Sequence, residues 1–470
     1  MKRFFTGLLV AIVCVVTSFS LFGCSPKFTG FSNDTSKVVS NSGIAVKHDG
    51  YLYFINGTKT ASETANKGKI VQGAIYKVKL NDDGTVNYDV TKDKDDKEVK
   101  TLKDVTKVVN ALVGFDEGSI HIFGNYLYYV TTSNRQNSNA EVLYGQLEFA
   151  RVDLETGAKE TFYTTKKSDD TVNYAYYMNG ENIDFVVYEK NSKLLTSLSI
   201  NDEIVENFVK EDVESALFSE NLGQSQNNTS SSIVKDADCY IFYTLAADKD
   251  GEYPDGNIVK FATSDGAFDK VLNEANESVS LLTIRAGKLV YTVDDYIFVD
   301  TITENSSKLH YDTSSVENLK NIVSYSTYDN VMFVEEDDGS VTLLVYDGSE
   351  IKWVSWSKNY PNFYDETIYD YGSSSIKVAF IGFDGDYLIY TVDGILNKIK
   401  VLNVDPAEEI VPIVLTTTKF ADGKELMTPK IVDGYVYGFV SSSSKTYMYR
   451  VSIETPEKEA EEAEFIGVKE

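Results

Sequence analysis

Short apolar stretches of one kind recur along the chain: YLYFI at 51–55, YLYYV at 126–130, IDFVVY at 183–188, YIFYT at 240–244, KLVYTV at 288–293, VMFVEE at 331–336, YLIYTV at 387–392 and YVYGFV at 435–440. Their starts lie 75, 57, 57, 48, 43, 56 and 48 residues apart. Each is rich in Tyr, Phe, Val and Ile, the composition of a strand. Each is followed by a second strand-like run: AIYKVKL from 74, LEFARVDL from 147, LLTSLSI from 194, NIVKFAT from 257, DYIFVDT from 295, TLLVYDG from 342, ILNKIKVL from 395 and TYMYRVSI from 446. Asp-Gly occurs eleven times, including Asp49-Gly50, Asp338-Gly339, Asp384-Gly385, Asp393-Gly394 and Asp433-Gly434. Between apolar runs this dipeptide signals a type I′ hairpin, whose two central residues need positive φ. The pattern predicts antiparallel meanders.

Within YLYFI, Tyr51 and Tyr53 fall on one face and Leu52 and Phe54 on the other, so neither face suits water. A sheet with one wet face would alternate apolar with polar residues. Long amphipathic helical patterns that could cover the second face are almost absent between the strands. Sheets stacked face to face around a ring cover both sides without helices. The expected fold is therefore all-β: a single β-propeller of seven or eight four-stranded antiparallel blades over residues 43–453. Two β-sandwiches in tandem are the alternative. Continuous repetition without an evident linker speaks against them.

The N-terminus reads differently. Lys2 and Arg3 precede a run from Phe4 to Val16 that is apolar but for Thr6 and Gly7, the form of a secretory signal. It ends in Leu21-Phe22-Gly23-Cys24, which resembles the lipobox of bacterial lipoproteins, with Phe22 where the family prefers a small residue. The resemblance implies removal of residues 1–23 and a diacylglyceryl group on the Cys24 sulfur. Burying acyl chains is worth about 0.8 kcal/mol per CH₂, and two chains hold stably where one does not. Residues 24–42 read as a lipidated, flexible tether. The expected location is the extracytoplasmic face of a bacterial cell membrane.

The motif NSGIAVKHDGYLYF, Asn41 to Phe54, with the later Asp-Gly-x-apolar-Tyr pattern, resembles bacterial surface propellers of a domain-of-unknown-function family. That family is similar in look to propellers of the low-density-lipoprotein-receptor type, although no YWTD signature occurs here. It implies a propeller and no catalytic set.

Composition narrows the partners. The chain has 44 Lys and Arg against 72 Asp and Glu, a formal charge of −28. Nucleic acid is excluded as a partner, since its phosphates need cations opposite them. With Cys14 in the signal and Cys24 lipidated, Cys239 has no cysteine left to pair with and reads as a buried thiol in a strand.

Three segments depart from the repeat. Residues 81–104 form a charged excursion that reads as a solvated loop or extended hairpin. Residues 202–218 carry apolar positions that fit either a short helix outside the ring or irregular strands. Residues 454–470 read as an acidic disordered tail.

Candidate chemistry is sparse. No HExxH, GxSxG, Walker or dinucleotide-glycine motif is present. His48, His121 and His310 are far apart, and His48 reads as an exposed turn residue. Asp248, Asp250, Glu252 and Asp255 offer hard oxygen ligands in one loop, a candidate Ca²⁺ site without EF-hand spacing. Tyr360, Phe363, Tyr364, Tyr369 and Tyr371 cluster around a loop at Pro361, near Trp353 and Trp356, and form a candidate platform for stacking on sugars or aromatic side chains. The tryptophans read as blade packing. The resulting expectation is a non-catalytic binding or scaffolding lipoprotein with a protein or peptide partner. The alternative is a glycan-binding protein or a glycosidase working through a carboxylate pair.

Overall fold

A computed structural model describes residues 39–58, 72–111, 120–133, 145–219, 240–246, 256–309, 330–416, 426–453 and 463–468, apart from short interruptions within these spans. All its strands and sheets are antiparallel β; among the described residues there is no helix, and none long and apolar enough to cross a membrane.

Eight sheets follow one another along the chain. The first comprises Ala45–His48, Tyr51–Ile55, Ile75–Lys79 and Val105–Val109; the second, Ile120–Phe123, Tyr126–Thr132, Leu147–Asp153 and Lys159–Thr164. The third holds Val172–Asn179, Asn182–Glu189, Leu194–Ile200 and Ile204–Lys210; the fourth, Val213–Phe218, Tyr240–Leu245, Ile258–Thr263 and Lys270–Val271. The fifth has three described strands, Val279–Arg285, Lys288–Val293 and Tyr296–Thr301. The sixth contains Asn330–Glu335, Val341–Tyr346, Glu350–Ser357 and Tyr360–Asp370; the seventh, Val378–Asp384, Tyr387–Val392, Ile395–Lys400 and Ile413–Val414. The eighth is Leu426–Val432, Tyr435–Ser442, Lys445–Ser452 and Glu464–Phe465.

Within each of these sets of strands the order follows the chain, as in an antiparallel meander. At Asp49-Gly50, Asp393-Gly394 and Asp433-Gly434 both central residues have positive φ (48° and 75°, 50° and 83°, 50° and 75°), as the I′ turn requires. Asp384-Gly385 is shifted by one: Asp384 pairs with Tyr387, so Gly385 and Asp386 form the turn, with only Gly385 at positive φ.

The repeated apolar stretch is the second strand of its sheet, except in the sixth. There VMFVEE lies on the first strand, and VTLLVY, which follows Asp338-Gly339, takes the second place.

Both faces are covered. Leu127 and Tyr129 lie in the core shared with the first sheet, whereas Tyr126, Tyr128 and Val130 lie in the core shared with the third. Further cores join the third sheet to the fourth, fourth to fifth, sixth to seventh and seventh to eighth. Each buried Tyr, Phe, Leu or Val contributes roughly 1.5–3 kcal/mol of transfer free energy, and here both sides of one strand supply it. The first strands of the first and second sheets touch, as do those of third and fourth, fourth and fifth, sixth and seventh, and seventh and eighth.

The two ends of the array meet. Val432, Tyr437, Phe439, Met448 and Ile466 of the C-terminal part share one core with Val46, Leu52, Phe54 and Val78 of the first sheet. Thr58 N and Oγ1 lie 2.6 and 2.7 Å from Thr446 Oγ1. Lys47 pairs with Asp433 at 2.6 Å.

Five expectations are corrected or decided. The last residues of the expected tether form a strand, Val39–Gly43, on the open edge of the second sheet's first strand, with Val39 opposite Ile122 and Ser40 opposite His121. Segment 202–218 is two strands, Ile204–Lys210 and Val213–Phe218, because its apolar residues serve different sheets: Phe208 and Val213 face the core between third and fourth. The tail is not disordered throughout: Glu464–Phe465 is the outer strand of the eighth sheet and Ile466 is fully buried. No loop exists at Pro361, which lies in the 11-residue outer strand Tyr360–Asp370 beside a bulge, a place where a missing N–H costs no ladder bond. The charged excursion is a hairpin, Tyr88–Lys92 with Glu98–Leu102, tied to the eighth sheet by the Tyr88 hydroxyl, which donates to Phe465 O at 2.9 Å.

Candidate functional site

Charged side chains enter the interior at matching places in several sheets. Where the second strand reads Tyr-x-Tyr after its turn, a cation on the third strand lies opposite the second tyrosine: Tyr53 with Lys77, Tyr128 with Arg151, Tyr437 with Arg450. Cross-strand partners share a face, so the cation lies against the rings. Lys77 Nζ is 4.8 Å from the Tyr51 ring centre, the Arg151 guanidinium 5.1 Å from Tyr126 and the Arg450 guanidinium 4.4 Å from Tyr435. An acid on the outer strand completes two of these stations. Arg151 Nε and Nη2 donate to Glu160 Oε2 at 3.0 and 2.7 Å, and Arg450 Nε donates to Glu464 Oε2 at 2.6 Å. The arginine side chains are 2% and 1% exposed, and Arg151 Nη1 also donates to Asn201 O, at the end of the strand Leu194–Ile200, at 2.7 Å, tying the second sheet to the third. Burial raises the hydroxyls of Tyr128 and Tyr437 to about 12, the neighbouring arginines notwithstanding.

A polar clasp joins the third and fourth sheets. Asp184 is fully buried and accepts hydrogen bonds from Ser199 Oγ and Ser264 Oγ, each at 2.5 Å, while the Ser197 hydroxyl donates to Ser264 O. Charge-assisted bonds of this kind satisfy a buried carboxylate that would otherwise be costly.

The feature closest to acid–base chemistry lies where the second and third sheets meet, at the end opposite the first hairpin turns. Glu189, fully buried, accepts from the Tyr163 hydroxyl and from Lys166 N at 2.7 Å. Nearby Asp170 accepts from Asn191 N at 2.7 Å and Ser192 Oγ at 2.5 Å. Burial raises the Glu189 carboxyl above its ordinary range and the charge of Asp170 adds to this, against the Tyr163 and Lys166 bonds that favour the ionised form. These donors belong to the turn and the sheet connection the acids hold in place. Sequence reading missed this pair, since neither YEKNSK nor SDDT carries a recognisable spacing.

The sequence-selected residues are only partly brought together. Tyr369 and Tyr371 meet edge to face at 4.9 Å, half-buried against the core between sixth and seventh sheets, and the Tyr371 hydroxyl donates to that of Tyr390 at 3.0 Å. Burial pushes Tyr371 up to about 12. Trp353 packs into the same core. Tyr360, Phe363 and Tyr364 lie on the outer strand, their side chains outside the described set. His48 is buried, 8% exposed, and not the exposed turn residue expected. Asp248, Asp250, Glu252 and Asp255 fall outside the described residues, as do Cys24 and Cys239. Among the described residues no three His, Cys, Asp or Glu side chains are grouped to hold a metal ion.

No protein-family model matches the chain, and no curated protein matches it. Solved structures similar to it include puromycin hydrolase, with TM-score 0.41 and 10% identity over 74% of this chain and 53% of that one. Others are an oligogalacturonate lyase in complex with manganese (0.30, 10%, 92% and 98%) and a GH43 β-1,3-galactosidase (0.24, 9%, 93% and 96%). The chain spans about half the length of the puromycin-hydrolysing proteins it matches.

Proposed function

We propose that this chain is an extracytoplasmic lipoprotein anchored through Cys24, whose eight sheets close into one propeller that serves as a non-catalytic binding or scaffolding module for a protein or peptide partner. The observation that carries the reading is the seam: the first and eighth sheets share a core and are stitched by side chains 388 and 412 residues apart in sequence. A body sealed in that way is rigid, and rigid scaffolds display binding loops. Several buried charges join neighbouring sheets, as Asp184 does with Ser264 and Glu189 with Tyr163, which supports a structural use for them.

The N-terminal strand supports one orientation of the module. Val39 lies opposite Ile122, next to the Gly124-Asn125 turn, so the chain leading back to Cys24 leaves from the end that carries the first hairpin turns. That end faces the bilayer, and the opposite end, with the turns at Lys190–Lys193 and Asp347–Ser349, is presented outward.

The test is in-cell proximity cross-linking of the native protein beside Cys24→Ala, with labelled fatty acid incorporation as the second readout. The reading expects lipid on the wild type alone and a recurrent protein neighbour. Turnover of a surface polysaccharide by the purified protein would overturn it in favour of a hydrolase.

A further inference from the structure

The chain just beyond the second strand of the first sheet carries a step with chemistry of its own. Asn56 is followed by Gly57, and an asparagine before glycine can cyclise, because no side chain shields the glycine nitrogen from the amide carbon one residue back. Asparagine counts among the thermolabile residues for this kind of reason. The sequence has a second such step, Asn179-Gly180, at the end of the strand Val172–Asn179.

At Asn56 the folded chain opposes ring closure. The side-chain amide is engaged with Val468 through both of its polar atoms, Nδ2 donating to O at 2.9 Å and Oδ1 accepting from N at 2.8 Å. Gly467 allows that approach, since a Cβ there would lie 2.9 Å from Asn56 Oδ1. Asn56 N donates to Ala74 O at 2.8 Å and Asn56 O accepts from Gly73 N at 3.0 Å, so its backbone is held as well. The nucleophile of the ring closure, Gly57 N, donates to Ile55 O at 2.8 Å. Asn56 itself is buried. On the C-terminal side this grip rests on the buried Ile466 and on the strand Glu464–Phe465. A two-residue outer strand is a low-stability element, of the kind that opens locally without global unfolding.

We infer that Asn56-Gly57 is a latent deamidation site kept shut by the docked segment 463–468, and that its conversion makes opening of this seam permanent. When the segment lifts, Asn56 Cγ can swing onto Gly57 N. A bond forms between Gly57 N and Cγ, the Cγ–Nδ2 bond breaks, and the glycine amide proton leaves with Nδ2 as ammonia. Water then opens the five-membered imide at either carbonyl, giving aspartate or an isoaspartyl link that carries the backbone through the former side chain. Neither product restores the grip. Aspartate sets a carboxylate oxygen against Val468 O where a donor stood, and two acceptors cannot bond. The isoaspartyl link adds a methylene to the backbone beside Gly57, where even a Cβ would lie 2.0 Å from Thr446 O. The inference is independent of the lipid anchor and of any partner.

The test incubates the full-length protein in detergent under mildly alkaline conditions beside a synthetic peptide of residues 52–60, LYFINGTKT, and follows Asn56 by peptide mass spectrometry and isoaspartate-specific methylation. The peptide should convert while the wild-type protein keeps its amide; equal rates would overturn the inference. Ile466→Ala, which weakens docking of the segment, should convert Asn56 about thirtyfold faster than wild type or more. A folded Ile466→Ala protein that keeps its amide while the peptide loses its own would also overturn it. Should that variant not fold, wild type in urea below its unfolding midpoint replaces it: conversion is expected to rise with urea, and a rate flat in urea refutes the gating. Asn56→Asp supplies one product directly and should unfold at a lower temperature than wild type, whereas an unchanged midpoint would refute the permanent opening.

Discussion

Asn56 clasps the backbone of Val468 in both directions: its Nδ2 donates to Val468 O at 2.9 Å, and its Oδ1 accepts from Val468 N at 2.8 Å. The side-chain amide thus stands in for a strand neighbour and ties the first sheet to the last residues described. Replacing Asn56 by Ala removes both bonds and leaves a peptide group unpaired, for an expected loss of about 2–4 kcal/mol. Urea unfolding of the purified protein measures it, and an unchanged midpoint would show that the clasp is incidental. Gly57→Ala is expected to be worse still, since the new Cβ would sit 2.0 Å from Thr446 O at a φ of +70°.

The C-terminal segment is structural. Deleting residues 454–470 removes the outer strand of the eighth sheet, the buried Ile466 and the carboxylate of Arg450. Misfolding or aggregation of the truncated chain is expected, where a frayed tail would be dispensable. The milder variant Glu464→Gln isolates the ion pair. Breaking a fully buried pair costs about 3–5 kcal/mol, and the 37% exposure of Glu464 places this loss below that range. Arg450→Met in the Glu464→Gln background should recover part of it, a comparison made by a double-mutant cycle.

Acid lability is expected at the turn between Tyr346 and Glu350. Burial alone would raise the Asp347 carboxyl, but hydrogen bonds from Lys352 Nζ and from the amides of Glu350 and Ser349 lower it to about 2. Its folded-state pKa lies below its unfolded value, so its stabilising contribution is present above about pH 4 and is lost as pH falls toward 2. Asp347→Asn should therefore be less stable than wild type at pH 6 and lose its deficit near pH 2. A deficit that does not change with pH would assign the effect to hydrogen-bond geometry instead.

Orientation on the membrane can be read with single fluorophores. Glu155 lies in an exposed turn at the end from which Val39 departs, and Lys190 is exposed at the opposite end of the neighbouring sheet. Eight strand residues, Asn182–Glu189, separate the two ends by about 25 Å. In vesicles carrying an acceptor lipid, a dye on Glu155→Cys should transfer energy more strongly than one on Lys190→Cys, both in a Cys239→Ser background. Equal or reversed transfer would refute the proposed face.

Much of the fold was legible from the chain because it rests on local chemistry. Alternation of apolar side chains on both faces, as in YLYFI, can be met only by sheets covered on both sides, and Asp49-Gly50 or Asp433-Gly434 dictates a turn from backbone sterics alone. These features fixed the all-β class and the strand pairs, and left the number of blades at seven or eight. Contacts between residues hundreds of positions apart leave no such trace. Whether Ile204–Lys210 became helix or strand depended on which neighbouring sheet offered Phe208 a place, and Glu464 became a strand because Arg450 and the backbone of Tyr449 and Arg450 waited at an open edge. The approach of Asp170 to Glu189 likewise came only with tertiary packing. Burial decides which charges are neutralised, and burial is a property of the assembled sheets.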